Sequence, residues 1–173
     1  LFLTICGLFL QLARRHKGRD KLATLSIIVP IFTVLQTWST SSSLKTEIDL
    51  PLKLIDRLCM HRANRQILAH KCQAGVVTFL HIMNSQIDQL SFHQSIVKIL
   101  MRFMSSQSDS VASTCRSLLK ENSGISTLVT SMNHHSKAKL LKDRICAILN
   151  ALFSEPSSVL DSPPVSPRSP KSK

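Results

Sequence analysis

The sequence predicts an all-α fold of stacked helical units. Apolar residues recur at three- and four-residue spacing along most of the chain, short polar joints separate these runs, and two long stretches repeat themselves at nearly the same period. Composition agrees: with only four Gly and no Tyr, the chain lacks the turn-rich, aromatic make-up of a sandwich or barrel. Its 173 residues suffice for a core that needs no metal or disulfide staple.

The first apolar run extends from Leu1 to Ala13, within a helical pattern that reaches Arg15. It lacks the leading positive charge of a signal peptide and falls short of the roughly 20 apolar residues of a spanning helix. Opening inside a hydrophobic helix without an initiator Met, it reads as part of a longer protein, packed on further N-terminal repeats. Helical patterns follow over Leu22 to Trp38, Leu50 to Met60, Arg65 to Lys71, Val76 to Met83, Ile96 to Met104, Val111 to Leu119, Ile125 to Met132 and Leu140 to Phe153. The joints Ser39 to Ser43, Ser105 to Ser110 and His134 to Ser136 have the length expected between packed antiparallel helices. Nothing reads as a strand. Residues 1–154 therefore form one helical-repeat domain, and residues 155–173, rich in Ser and Pro, a disordered tail. Ser162, Ser166 and Ser169 each precede Pro and are candidate sites for proline-directed kinases. Phosphate would add roughly −1.5 to −2 charge per site and let the tail compete for a basic surface.

Self-similarity sets the architecture. Leu12 to Ala23 lies over Leu58 to Ala69 at a shift of 46 without gaps, so that Leu, Arg, Leu and Ala coincide and Gly18 faces Asn64. Gly75 to Asn84 lies over Gly124 to Asn133 at a shift of 49, and the register continues with Ile96, Ile99, Leu100 and Phe103 on Ile145, Ile148, Leu149 and Leu152. A unit of two or three helices of this length cannot bury its own apolar face, so units must stack.

The recurring pattern is an apolar helix ending in Leu-Ala, a polar joint, Asn or Gly followed by Arg-x-x-Leu, and then Gly with a second apolar helix. It is carried by Leu8 to Ala23, Leu54 to Met83 and Gly124 to Met132, with Ile28 to Leu35 as a helix start containing Pro30. It resembles the armadillo repeat family and is equally HEAT-like; the stretch Ser105 to Asn122 departs from it in lacking the Asn-Arg pair. The resemblance implies a right-handed α-solenoid, of which residues 1–154 would be the C-terminal three to four units. It also implies that the last helix of each unit lines a concave groove in which an Asn clamps an extended peptide. The matching positions hold Gln11, Arg57, Arg102 and Ala151, so the Asn ladder is missing; one turn earlier stand Gly7, Lys53, Lys98 and Ala147. Lys53 and Arg57 recur as Lys98 and Arg102 at a shift of 45, and residues four apart share a helix face. Such a basic ladder resembles the lysine-lined groove of catenin-type armadillo domains.

Charge points the same way. With 22 Lys and Arg against 10 Asp and Glu, the net charge is +12 and lies mainly in the folded body, which calls for an acidic partner. The expected function is a non-enzymatic scaffold or adaptor binding an acidic or phosphorylated protein segment at Lys53, Arg57, Lys98, Arg102 and Gln11. The alternative is a helical-repeat adaptor in nucleic-acid metabolism that touches the phosphate backbone through the same cations; it lacks Tyr for stacking, and the seven Phe fall at core spacing. Membrane docking has only Leu140 to Phe153 with Lys139, Lys142 and Arg144 as a candidate. No phosphate loop, nucleophile elbow or carboxylate pair suggests catalysis, and no cofactor is implied. Cys59-Met60-His61 with His70-Lys71-Cys72 matches no familiar zinc spacing, so no metal is expected. His134-His135 reads as a solvated turn. Five scattered Cys in apolar runs read as buried free thiols in a reducing compartment, hence cytoplasm or nucleus.

Overall fold

In a computed structural model of the chain, residues 1–39, 47–71, 74–105 and 109–154 are described. They are all-helical, and among them there is no strand. The elements are α1 (Phe2–Leu12), α2 (His16–Thr24), α3 (Ile28–Ser39), α4 (Asp49–Leu58), α5 (Arg62–Gln66) running into a π-helical turn (Ile67–Lys71), α6 (Ala74–Ser85), α7 (Leu90–Met104), α8 (Asp109–Glu121), α9 (Gly124–His134) and α10 (Lys139–Phe153). The tail at 155–173 with Ser162, Ser166 and Ser169, Cys72, and much of the joints at 39–43 and 105–110 lie outside the described residues.

Packing follows the repeat register. α1 lies on α4, α4 on α7 and α7 on α10, while α3 lies on α6 and α6 on α9. The rings of Phe32 and Phe79 meet edge to face between α3 and α6 at 5.8 Å, and Phe2 meets Trp38 between α1 and α3 at 5.1 Å. One continuous core results, from Cys6 through Leu54, Phe79 and Ile99 to Leu152.

The equivalence at a shift of 46 extends to individual hydrogen bonds. α1 and α4 end in the same way: Ala13 and Cys59 are fully buried C-caps in helical conformation, and their N–H groups bond to the carbonyls of Phe9 and Ile55. Arg15 and His61, both extended, open the next helix. Arg19 Nη1 donates to the carbonyls of Ala13 and Arg14, and Arg65 Nη1 to those of Cys59 and Met60, so each guanidinium closes the C-terminus of the preceding helix. Where Gly18 faces Asn64, two solutions serve one place. The Asn64 amide donates to the Leu58 carbonyl at 2.9 Å, whereas at Gly18 the Leu12 carbonyl comes so near that a Cβ would stand 2.1 Å from it.

Two expectations need correction. Leu22 to Trp38 is not one helix, because Ser26 adopts φ 51° and turns the chain between α2 and α3; apolar side chains on both sides of the break hide it from a periodicity reading. Pro30 and Pro51 fall in the first turns of α3 and α4, where a helix needs no N–H from them. The cysteines, too, are not uniformly buried: Cys6, Cys59 and Cys115 are free in the core, but Cys146 is free on the exposed side of α10.

Replacing Asn64 with Ala removes one of the two donors to the Leu58 carbonyl, which keeps the His61 N–H, and is expected to cost about 1 kcal/mol. Gly18→Ala, by crowding the same place in the preceding unit, is expected to cost roughly 1–3 kcal/mol as an overpacking strain. Urea unfolding midpoints check both, and an unshifted midpoint for Gly18→Ala would contradict the equivalence.

Candidate functional site

The fold gathers the basic ladder on one surface. Lys53 and Arg57 project from α4 and Lys98 and Arg102 from α7, on the sides of those helices left over after the core is filled. Two adjoining cavities open there. The first, of about 400 Å³, lies between the end of α1, α4 and α7 and is lined by Arg14, Lys53, Asp56, Arg57 and Lys98 with the neutral Ser91, Gln94 and Ser95. The second, of about 380 Å³, lies between α4, α7 and α10 and is lined by Asp56, Arg57, Lys98, Arg102 and Arg144 with Met101 and Ser105. Arg57 and Lys98 belong to both. Gln11 lies apart, in a more apolar hollow with Leu8, Phe9, Leu12 and Arg14.

The ladder has counter-charges that the repeat comparison did not bring out. Asp49, one turn before Lys53, pairs with its ammonium, and Arg102 Nε donates to Asp56 Oδ1 at 2.9 Å across the α4–α7 interface. Asp56 is nearly buried, so the second pair is a fixed part of the groove rather than a loose surface contact. Among the described residues, the side chains of Arg57, Lys98 and Arg144 make no hydrogen bond or ion pair. Arg14 and Arg144 are not part of the ladder that equivalent positions define. Arg144 stands three residues before Ala147 on α10, whereas Arg14 lies in the turn after α1, where helical spacing no longer applies.

Of the metal-like constellation, Cys72 and the His70 side chain lie outside the described residues. Cys59 is fully buried, and His61 Nδ1 accepts from the Ala63 N–H at the start of α5. Burial pushes the Cys6 thiol up to about 11 and the Cys115 thiol up to about 12, and raises Cys59 as well, so all three stay protonated at neutral pH.

The turn at His134–Ser136 is more than a solvated joint. His135 packs edge to face on His134 at 5.0 Å and on the buried His93 of α7 at 4.8 Å, while His134 Nε2 lies 3.0 Å from Asp88 Oδ1. The Gln86 carbonyl can only accept, so His93 carries its proton on Nε2, and Nδ1 accepts from the Ser131 hydroxyl at 2.6 Å. Burial lowers His93 to about 4, with the Gln86 carbonyl opposing and His135 and His134 reinforcing the shift. His135 is lowered too, first by burial and then by His134. The signal available in the sequence was weak, since His93 occupies an apolar-face position 41 residues from His134.

Compared with protein-family models, with curated proteins and with solved structures, the chain matches none. Among the described residues no single helix is long and apolar enough to cross a membrane.

The buried imidazole makes stability pH-dependent. An unfolded His binds its proton near 6.5, whereas folded His93 resists it down to about 4. Between these values the unfolded state holds the extra proton, so the contribution is complete above pH 6.5 and is lost as pH falls toward 4. The melting temperature is expected to decline over that window, and His93→Gln to flatten the decline. Parallel slopes for the two proteins would remove His93 as its source.

Proposed function

We propose that this chain is a non-enzymatic scaffold, part of a right-handed armadillo- or HEAT-like solenoid, whose basic groove binds an acidic or phosphorylated segment of a partner protein. The observation that carries the reading is the convergence of Lys53, Arg57, Lys98 and Arg102, from two helices at equivalent positions, on cavities joined by Arg57 and Lys98. Arg14 and Arg144 lengthen this basic surface to the end of α1 and onto α10. Arg supplies forked donors for carboxylate or phosphate, and Lys a mobile point charge. The successive packing of α1, α4, α7 and α10 supports stacked units as the frame. Gln11, near the end of α1, would meet the outer end of the bound segment. A phosphorylated tail, through Ser162, Ser166 or Ser169, would compete for the same surface. A reducing compartment, cytoplasm or nucleus, suits three buried free thiols.

The nucleic-acid reading uses the same cations but finds no aromatic side chain lining either basic cavity on which a base could stack. Packing on further repeats has its own support. Pro51, Leu54 and Leu58 of α4, Ile96, Ile99 and Phe103 of α7, and Ile145, Ile148 and Leu152 of α10 are all buried, while their counterparts on α1, Ile5, Leu8 and Leu12, are 37, 61 and 53% exposed. This open apolar face fits a neighbouring helical unit better than water.

The isolated chain is expected to self-associate at high concentration and to become monomeric when Leu8 and Leu12 are replaced with Glu. Light scattering decides this, and a monodisperse wild-type monomer would contradict it. In a pull-down from nuclease-treated lysate, a Lys53/Arg57/Lys98/Arg102 charge-reversal variant of unchanged helicity is expected to lose one or a few acidic proteins. Unchanged partners would reject the groove, and loss of nuclease-sensitive material alone would favour nucleic acid.

A further inference from the structure

The two cavities of the groove differ in what their cations are left to do. Building on the groove reading, we propose that the cavity between α4, α7 and α10 is a phosphate subsite, taking one phosphoserine or phosphothreonine of the partner segment, and that the adjoining cavity takes the acidic residues beside it.

In the first, Arg57, Lys98, Arg102 and Arg144 face a single carboxylate, Asp56. That carboxylate is already engaged by Arg102 Nε. The bond uses one of five N–H donors, so it fixes the plane of the guanidinium and leaves both Nη groups to donate. The side chains of Arg57, Lys98 and Arg144 are without hydrogen-bond or ion-pair partners among the described residues. Arg144 Nη1 is, in addition, shielded from solvent with no acceptor. Such a donor has lost its water without gaining a partner, and a turn of the guanidinium toward an anion in the cavity would supply the missing bond.

The charge density selects the ligand. Three uncompensated cations on three helices around about 380 Å³ need an anion carrying close to two charges in the space of one side chain. A carboxylate brings one charge and two oxygens, whereas a phosphomonoester brings roughly −1.5 to −2 and three acceptor oxygens. A second Glu or Asp would have to crowd into the same hollow to match it. The adjoining cavity is suited to ordinary carboxylates. Arg57 and Lys98 line it too and the Arg14 side chain is equally unpaired among the described residues, but Lys53 is paired with Asp49, and the neutral Ser91, Gln94 and Ser95 take the place of the forked donors of Arg102 and Arg144. Because Arg57 and Lys98 line both cavities, the phosphorylated residue and an acidic neighbour would lie side by side.

The test is fluorescence anisotropy on the full chain with three fluorescein-labelled nine-residue peptides of Asp and Ser, identical except for phosphoserine, Glu or Ser at the centre. The phosphoserine peptide is expected to bind at least about tenfold more tightly than the Glu peptide, as charge-assisted bonds to a dianion replace those to a monoanion. The ratio should shrink below about pH 6, where the phosphate takes up a proton. Arg144→Gln should weaken the phosphoserine peptide by a larger factor than the Glu peptide, whereas Lys98→Gln, whose residue lines both cavities, should weaken both. Lys53→Gln should weaken both acidic peptides alike. Arg144→Lys, which keeps the charge and the helix but loses the fork, should fall between wild type and Arg144→Gln, and circular dichroism confirms that each variant is folded. Equal binding of the phosphoserine and Glu peptides overturns the phosphate subsite and leaves the groove. Failure of all three peptides overturns both. Displacement of the phosphoserine peptide by a 20-base-pair duplex of arbitrary sequence, with a steep loss of duplex binding in added salt, overturns the subsite in favour of nucleic acid.

Discussion

Each helix of the central row has more apolar surface than one neighbour can cover. In α4, Pro51, Leu52, Leu54, Ile55 and Leu58 are all buried, a stripe wider than the roughly 100° of an ordinary surface helix. It is filled by the combined approach of α1, α2, α3 and α7. What remains of the circumference is a narrow polar strip holding Lys53, Asp56 and Arg57. The strip of α7, with Lys98 and Arg102, lies beside it because the same packing is repeated. Alignment of the charges is thus a by-product of hydrophobic burial, and the groove inherits its geometry from the core.

How far this was legible depended on the kind of signal. The shift of 46 located equivalent positions well enough that Arg19 and Arg65, chosen only as letters that coincide, bind the same two carbonyls in successive units. The pairing of Gly18 with Asn64 was visible but not its meaning, since one acts by absence of a side chain and the other by its amide. The break at Ser26 was hidden because Leu25 and Ile27 continue the apolar run, and φ is not written in hydropathy. At the candidate site, the four ladder cations came from comparing columns. Asp56 was overlooked because its partner is 46 residues away on another helix, a pairing that exists only once the helices are stacked.

Two polar clusters sit at different ends of the packing problem. On the groove side, charges occupy surface that the core leaves free and keep part of their water. At the α9–α10 turn, His93 lies inside the core, and its two ring nitrogens are matched by Gln86 and Ser131 from two different elements. A neutral imidazole with both nitrogens satisfied is compatible with such a place, and it ties the start of α7 to α9 where apolar contacts alone would specify no particular register.

The Arg102–Asp56 pair joins residues of two neighbouring units, and neither helix contains it alone. Its length therefore records the offset between α4 and α7. If one slides past the other, the guanidinium is released and a carboxylate is bared in the same movement, so the pattern of charge on this surface changes with no side chain altered. A stack of helices joined in this way has a surface potential that depends on its strain.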